Sequence, residues 1–353
     1  MTAGISQQVE QDLRSLRLLA YRYLERVFPD FIPPGARILH VSQAPAICAT
    51  SYACCLMVVQ LSTGAEVKLF LKDFSSSPLG KDGLHRRAER EVCAYRDLLA
   101  GSGLGTARYY GTVSDETEGR LALILEFVEG ERLRSCALEN WIAAARWLGQ
   151  MQAYFARHAA RWQKCEVLLR HDANFFWARA EGAMHAVSQA VPGLAGRLAE
   201  VVDSYGRLVD VMTSQPRTLV HGSYRPQNIL VAAAAQRICP VDWEWAAIGA
   251  PFYDLAFVSD GFRPPARDQL WDAYLEAAGD VCRFTRDREE MRYVIECFRL
   301  HKILKSLSEA QEKSFPEATI IKQVDQAERL SSVLRSLTLP ARRGTSEEEE
   351  RLE

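Results

Sequence analysis

The order of its short and long periodic segments constrains this chain more than any other feature. Five short runs rich in β-branched, aliphatic or aromatic residues come first: Arg37–Val41, Tyr52–Leu61, Val67–Phe74, Arg108–Val113 and Leu121–Val128. Turn signals such as Ser62-Thr63-Gly64 bound several of them, as expected of strands. One stretch with helical spacing, Leu84–Leu99, interrupts them after the third run. Upstream, Val9, Leu13, Leu16, Ala20, Leu24 and Val27 recur at helical spacing, ended by Pro33-Pro34-Gly35. Beyond Gly130 the pattern inverts. Long amphipathic segments dominate at Glu139–Arg161, Ala173–Ala190, Leu194–Met212, Arg267–Ala278 and Asp287–Leu307. Set among them is one compact polar and strand-like region, Thr218–Asp254. Strands gathered at one end and helices at the other predict an α+β protein.

At 353 residues the chain is long enough for two domains. The change at Gly130 suggests a boundary there, giving domains of 1–130 and 131–339. Residues 340–353, with the acidic run Glu347–Glu350, read as a disordered, solvated tail. The formal net charge is only −2, so no basic field recruits nucleic acid. No stretch approaches the roughly 20 uncharged apolar residues of a membrane span. Met1–Glu10 is polar and lacks the apolar core of a signal peptide. The nine cysteines show no C-x-x-C spacing, and adjacent Cys54 and Cys55 would point to opposite faces of a strand. Free core cysteines imply a reducing, cytoplasmic setting. The seven histidines are dispersed too, which argues against a metal cage of protein ligands alone.

The chemistry is concentrated between Val220 and Ala256. His221-Gly222-Ser223-Tyr224-Arg225-Pro226-Gln227-Asn228 precedes the strand-like Ile229-Leu230-Val231. Fourteen residues after Asn228 comes Asp242, within Pro240-Val241-Asp242-Trp243-Glu244-Trp245, and twelve further on comes Asp254-Leu255-Ala256. An asparagine and an aspartate offered from neighbouring strand ends can hold a metal that bridges nucleotide phosphates. In order and spacing the blocks resemble His-Gly-Asp-x-x-x-x-Asn, Asp-Trp-Glu and Gly-x-Pro-x-x-Asp-Leu-Ala of the aminoglycoside phosphotransferase and choline kinase-like family. The resemblance extends over roughly Arg37 to Leu307. It implies a two-lobed protein-kinase-like fold, with a small antiparallel sheet that binds nucleotide and a mainly helical lobe carrying the catalytic loop and acceptor site. It also implies ATP and Mg2+ as cofactors, with Asn228 and Asp242 as metal ligands, and a small-molecule or peptide acceptor.

The strand end of the chain supplies further residues. Lys72 interrupts the apolar run Leu69–Phe74, where an unpaired ammonium would be costly. It resembles the family lysine that meets the α- and β-phosphates. Lys68 shares its face but lies nearer the turn. On the helical stretch, Glu91, Tyr95 and Leu98 lie on one face, so Glu91 is the expected partner of Lys72 and Glu89 the solvated runner-up. Leu121–Gly130 resembles the family's last strand and hinge, where backbone groups of Glu126 and Val128 would meet the nucleotide base. Cys48-Ala49-Thr50-Ser51 falls where a phosphate loop is expected. Thr50 and Ser51 could hold phosphate through hydroxyls and amides, or be an ordinary turn, since the usual glycine is missing. His221 and Asp254 are expected to be structural. Glu244 is either a carboxylate beside the metal or a solvated strand-end residue.

The chain departs from the family at Ser223, which stands where the family keeps its catalytic aspartate. General-base assistance is worth about 10²–10⁴-fold, or roughly 3–5 kcal/mol of barrier. Three readings remain open: a kinase using another base or water, a kinase whose acceptor is already ionised, and a non-catalytic nucleotide-binding pseudokinase or scaffold.

Overall fold

The computed structural model describes residues 24, 32–45, 52–75, 84–115, 120–232, 237–279 and 288–337. The upstream helical pattern, apart from Leu24, together with Thr50, Ser51 and the 340–353 tail, lies outside them. The chain forms two compact units. The first gathers residues through Trp147 with Ala160–Leu169 and His221–Ala246; the second gathers Leu148–Ala159, Arg170–Val220 and the residues from Ala247 onward.

The first unit is built on a five-stranded antiparallel sheet of order β1-β2-β3-β5-β4. Its strands are β1 (Ile38–Pro45), β2 (Ala53–Leu61), β3 (Glu66–Asp73), β4 (Tyr109–Asp115) and β5 (Arg120–Glu126). Period-two alternation gives the sheet two different faces. Cys55, Met57, Val59 and Leu61 of β2, with Leu69 and Leu71 of β3 and Ile124 of β5, form one apolar core. The register Cys54↔Lys72↔Leu123 puts Lys72 on the other face. Helix α1 (Leu84–Cys93) follows β3, as expected. Its last turn, however, widens into a π-helical turn, Ala94–Leu99, closed by Ala100 N–H donating to Tyr95 O at 3.0 Å.

The same unit holds a three-stranded sheet of order β10-β9-β6, made from β6 (Glu131–Arg132), β9 (Ile229–Ala232) and β10 (Arg237–Pro240). Helix α2 (Leu138–Arg157) contributes its residues up to Trp147 to this unit and the rest to the second. Two-residue β7 (Leu169–Arg170) lies at a boundary between them.

The second unit is mainly helical. It contains α3 (Ala173–Ala190), α4 (Ala195–Asp203), α5 (Tyr205–Thr213), α6 (Phe252–Val258), α7 (Ala266–Ala278), α8 (Arg288–Ser308) and α9 (Glu317–Ser336). Short strands β8 (Thr218–Val220) and β11 (Ala247–Gly249) pair antiparallel within it. Two features differ from expectation. The segment Leu194–Met212 is two helices, broken where the Ser204 hydroxyl donates to Val201 O at 2.9 Å and contacts Ser331 Oγ at 3.1 Å. Such a back-bonded serine interrupts helix geometry. Helix α9 was not anticipated. Its buried stripe of Ile320, Val324, Ala327, Ser331 and Leu334 includes small and polar residues, so its apolar periodicity is weak. Arg197 of α4 fixes it by ion pairs to Asp325 (2.7 Å) and to Glu328. No helix among the described residues is long and apolar enough to cross a membrane.

Two histidines lie inside this unit. His171 stacks on Phe175 with ring centroids 4.2 Å apart, and His301 meets Phe176 edge-on at 4.8 Å. His171 Nδ1 and His301 Nε2 have no hydrogen-bond partner among the described residues. Burial, then the cation of Lys305, pushes both pKa values well below the ordinary value of 6.5. A base with a depressed folded pKa is protonated first in the unfolded chain. The stability it preserves is therefore complete above about pH 6.5 and is lost as pH falls below it. Each histidine should contribute a slope of about 1.4 kcal/mol per pH unit in that range. Urea unfolding at pH 7.5 and pH 5.5 should show this loss, and His171→Phe should remove roughly one histidine's share of it.

Candidate functional site

The first unit brings together residues from widely separated parts of the sequence. Lys72 Nζ donates to Glu91 Oε2 at 2.7 Å and to Asp242 Oδ1 at 2.8 Å. Tyr52 and Phe74 flank the ammonium, their ring centroids 5.0 and 5.6 Å away. Glu91 and Lys72 are buried, whereas the Asp242 side chain keeps 38 % exposure, so this corner of the cluster is open to solvent. It is Lys72 rather than Lys68 that pairs with Glu91. Lys68 pairs with Glu129 at the surface, and Glu89 with His85, also in solvent.

Asp242 has φ +68°, a left-handed conformation uncommon for a non-glycine residue and frequent at functional sites. Its neighbours hold it there. His221 Nε2 donates to Val241 O at 3.0 Å, and His221 Nδ1 accepts from Ser223 N–H at 3.3 Å. Burial lowers the His221 pKa to about 4, so the ring is neutral near pH 7. Gly222 adopts φ +76°, and a Cβ there would stand 2.0 Å from Trp245 O. Only glycine fits. Val241 N–H donates to Asn228 O at 2.8 Å, which ties the Asp242 segment to the turn Pro226–Asn228. Asn228 Nδ2 donates to Ser223 O and Oγ at 3.2 and 3.3 Å, and Ser223 is buried.

Beside the Lys72 cluster lies a cavity of about 730 Å³, a volume suited to a small ligand or cofactor. Phe70, Leu125, Val128 and Leu230 supply its apolar walls, with Asn228 and Asp242 also on the lining. The Glu126 amide donates to Arg108 O at 2.8 Å and its carboxylate pairs with Arg237; Glu126 and Val128 both lie on the cavity lining. The period-two rule from Lys72 could have found Phe70 and Cys54. Nothing in the sequence marked Arg132 and Arg134, which also line the cavity. Tyr95 lies on the cavity lining, and its buried hydroxyl has no hydrogen-bond partner among the described residues. Glu244 is buried, which rules out the solvated reading. Its Oε1 accepts from Trp245 Nε1 at 3.0 Å, and its Oε2 has no partner among the described residues. Asp254 is fully buried in the first turn of α6, in the second unit.

The profile of the phosphotransferase enzyme family, APH, matches residues 57–294, more than half of the chain. The chain belongs to this family. The chain matches no curated protein by sequence. Among solved structures it is similar to choline kinase LicA from Streptococcus pneumoniae, with 13 % identity, 89 % of this chain and 99 % of that one covered, and a TM-score of 0.55. It is also similar to the GDP complex of wild-type aminoglycoside 2'-phosphotransferase-IIIa, at 15 % identity, 88 % and 98 % coverage and a TM-score of 0.57. A third is a thermostable mutant of aminoglycoside phosphotransferase APH(4)-Ia in a ternary complex with ADP and hygromycin B, at 14 % identity, 91 % and 99 % coverage and a TM-score of 0.53. The chain thus has the protein-kinase-like fold, an antiparallel N-terminal sheet followed by a mainly helical region.

Burial alone would discharge Lys72, but Asp242 and Glu91 outweigh it and hold its pKa well above the ordinary value. Burial likewise opposes the charge on Asp242, yet Lys72 keeps its pKa below the ordinary value. Burial wins at Glu91, whose pKa rises to about 7 against the pull of Lys72. Removing the shared cation should leave two close carboxylates. Lys72→Met should cost roughly 3–5 kcal/mol of stability at pH 8 by denaturant unfolding, the usual price of breaking a buried pair. Lys68→Met should produce no comparable loss, because its pair is exposed.

Proposed function

We propose that the protein transfers the γ-phosphoryl group of ATP, with Mg2+, to a small-molecule or peptide acceptor, and that Ser223 stands where the family keeps its catalytic aspartate. The observation that carries this reading is the buried Lys72, shared between Glu91 and Asp242 at the edge of a nucleotide-sized cavity. Lys72 would release Asp242 and turn to the phosphates, while Glu91 holds its orientation. The Glu126 carbonyl and the Val128 backbone would meet the base. Structural relatives with bound ADP or GDP support a nucleotide as substrate. Relatives named as aminoglycoside phosphotransferases and a choline kinase support a small acceptor.

Asn228 and Asp242 form a donor set that fits magnesium. One amide and one carboxylate supply hard oxygen donors, and among the described residues no group of three or more His, Cys, Asp or Glu could make a cage. Magnesium is commonly held in this way, by one or two protein ligands with phosphates and water completing its shell. When bound, it would neutralise charge on the transferring phosphoryl group.

A second reading, a nucleotide-binding protein without turnover, is favoured by Ser223 itself. Its hydroxyl is buried and engaged by Asn228, and it offers no carboxylate to accept an acceptor proton. Phosphoryl transfer draws most of its catalysis from positioning and charge, so this loss slows the reaction without forbidding it.

Saturating ATP should raise the melting temperature, more so with magnesium, since a ligand of the folded state stabilises it. Asp242→Ala should abolish the magnesium-dependent part. No shift with either ATP or GTP would sink the nucleotide reading. In single-turnover assays against mixed hydroxyl acceptors, Ser223→Asp should raise transfer by up to about 10²–10⁴-fold. An unchanged, undetectable rate alongside intact nucleotide binding would favour the non-catalytic reading. Robust wild-type transfer that disappears in Ser223→Ala would show instead that the serine itself works in the reaction.

A further inference from the structure

The cysteines are scattered in sequence, but the fold brings two of them, 72 residues apart, face to face. Cys93 is the last residue of α1, and Cys165 lies in the loop before β7. Their sulfurs stand 2.9 Å apart. A disulfide bond is about 2.05 Å long, so bonding requires an approach of roughly 1 Å. Two arginines fasten the same segments together on either side of the pair. Arg90 Nε donates to Val167 O at 2.8 Å, and Arg161 Nη2 donates to Asp97 O at 2.9 Å and to Ala100 O at 3.2 Å. Bond formation therefore needs no large rearrangement of either segment.

The two thiols are unequal. Cys165 is half-buried and accessible to a small oxidant, whereas Cys93 is buried. The hydrogen bond donated by Cys93, assisted by the backbone amides of Val167 and Leu168, outweighs burial and lowers the Cys165 pKa to about 6. The same hydrogen bond, then burial, pushes Cys93 upward. Thiolate character and exposure make one cysteine the nucleophile, and its neighbour is poised to resolve it.

We propose that Cys165 and Cys93 form a redox modification site, in which a hydroperoxide oxidises Cys165 and Cys93 converts the product to a reversible disulfide. In the first step the Cys165 sulfur attacks a peroxide oxygen. The O–O bond breaks, the departing oxygen takes a proton from water, and Cys165 is left as a sulfenic acid. In the second step the Cys93 sulfur attacks the Cys165 sulfur. The S–S bond forms, the S–O bond breaks, and the hydroxyl leaves as water with the Cys93 proton. Together the two cysteines lose two electrons, and the hydroperoxide gains them, becoming an alcohol (or water) plus water. A small dithiol reverses the change by exchange. Disulfides of this transient kind suit a reducing compartment.

The bond would anchor α1 two residues beyond Glu91. Its consequence for nucleotide rests on the phosphotransferase reading of Lys72 and Glu91; the bond itself does not. Full-length protein treated with hydrogen peroxide, alkylated after denaturation and digested, should yield one linked peptide pair, Cys93 with Cys165, that dithiothreitol dissolves. Oxidised wild type should melt several degrees above the reduced form, because the link closes a long loop in the unfolded chain. Cys93→Ser, which keeps a hydrogen-bond donor beside Cys165 but cannot form the disulfide, should leave a sulfenic acid at Cys165 that dimedone captures, and Cys165→Ser should give no linkage. Oxidation of other cysteines without this pair would overturn the proposal, and that mapping on wild type requires no variant to fold. ATP with magnesium should shift the melting temperature by different amounts in the oxidised and reduced forms. Equal, non-zero shifts would refute the coupling to Glu91, whereas no shift in either form would count against the nucleotide reading and leave the mapped disulfide standing.

Discussion

An ammonium on the inward face of a strand has to be accompanied by carboxylates, and much of the first unit is arranged around meeting that requirement. Lys72 leaves β3 on the face opposite the apolar core, where Cys54, Phe70 and Leu123 are its neighbours. None of these can solvate a charge. Glu91 arrives from α1 and Asp242 from the segment after β10, and both reach Nζ at hydrogen-bond distance. Moving charges this far from water costs several kcal/mol per ion after relaxation, so each member depends on the others. Three stretches of chain are thereby fixed relative to one another within a single unit.

The segment His221–Asn228 extends this dependence through neutral hydrogen bonds. His221 links Ser223 to Val241, Asn228 links the turn to both, and Gly222 allows the backbone to approach Trp245. Nearby, Tyr224 anchors the loop by donating from its hydroxyl to Ala144 O at 2.8 Å, with its ring stacked on Trp147. The left-handed Asp242 persists because these contacts leave it little freedom. Ser223 sits within this lattice and accepts from Asn228. The serine therefore occupies a framed position even though it lacks the charge of a carboxylate.

Much of this was legible because strong local patterns coincide with it. Runs of β-branched, aliphatic and aromatic residues bounded by turn signals located the five strands, and the lysine interrupting one of them singled out Lys72. Helical spacing turned Glu91 inward, and the ordered blocks around His221, Asn228 and Asp242 selected the loop. What escaped notice has weaker local signals. The π-helical turn after Cys93 preserves the same apolar spacing as an ordinary helix end, so sequence does not distinguish them. Helix α9 hides behind a stripe diluted by Ser331 and Ala327. Arg132 and Arg134 join the cavity through a chain reversal that no spacing rule encodes. The proximity of Cys93 and Cys165 is tertiary altogether, created by two segments far apart in the sequence.

The energetics of Glu91 suggest why such a cluster is kept. Its pKa stands at about 7, above the ordinary 4.5. A carboxyl whose folded pKa is raised holds its proton longer in the folded chain than in the unfolded one. Between those two values, rising pH therefore erodes stability. The charged form is thus a burden on the fold even with Lys72 beside it. A buried ion pair is weak grounds for stability, and an apolar replacement is often neutral or better. Perturbed carboxylates held against such a cost cluster at functional sites. Here the cost falls beside a cavity whose rim presents Asn228 and the open side of Asp242. A purely structural core would gain by discarding all three charges, whereas a site that must hold a lysine in one orientation has a use for each of them.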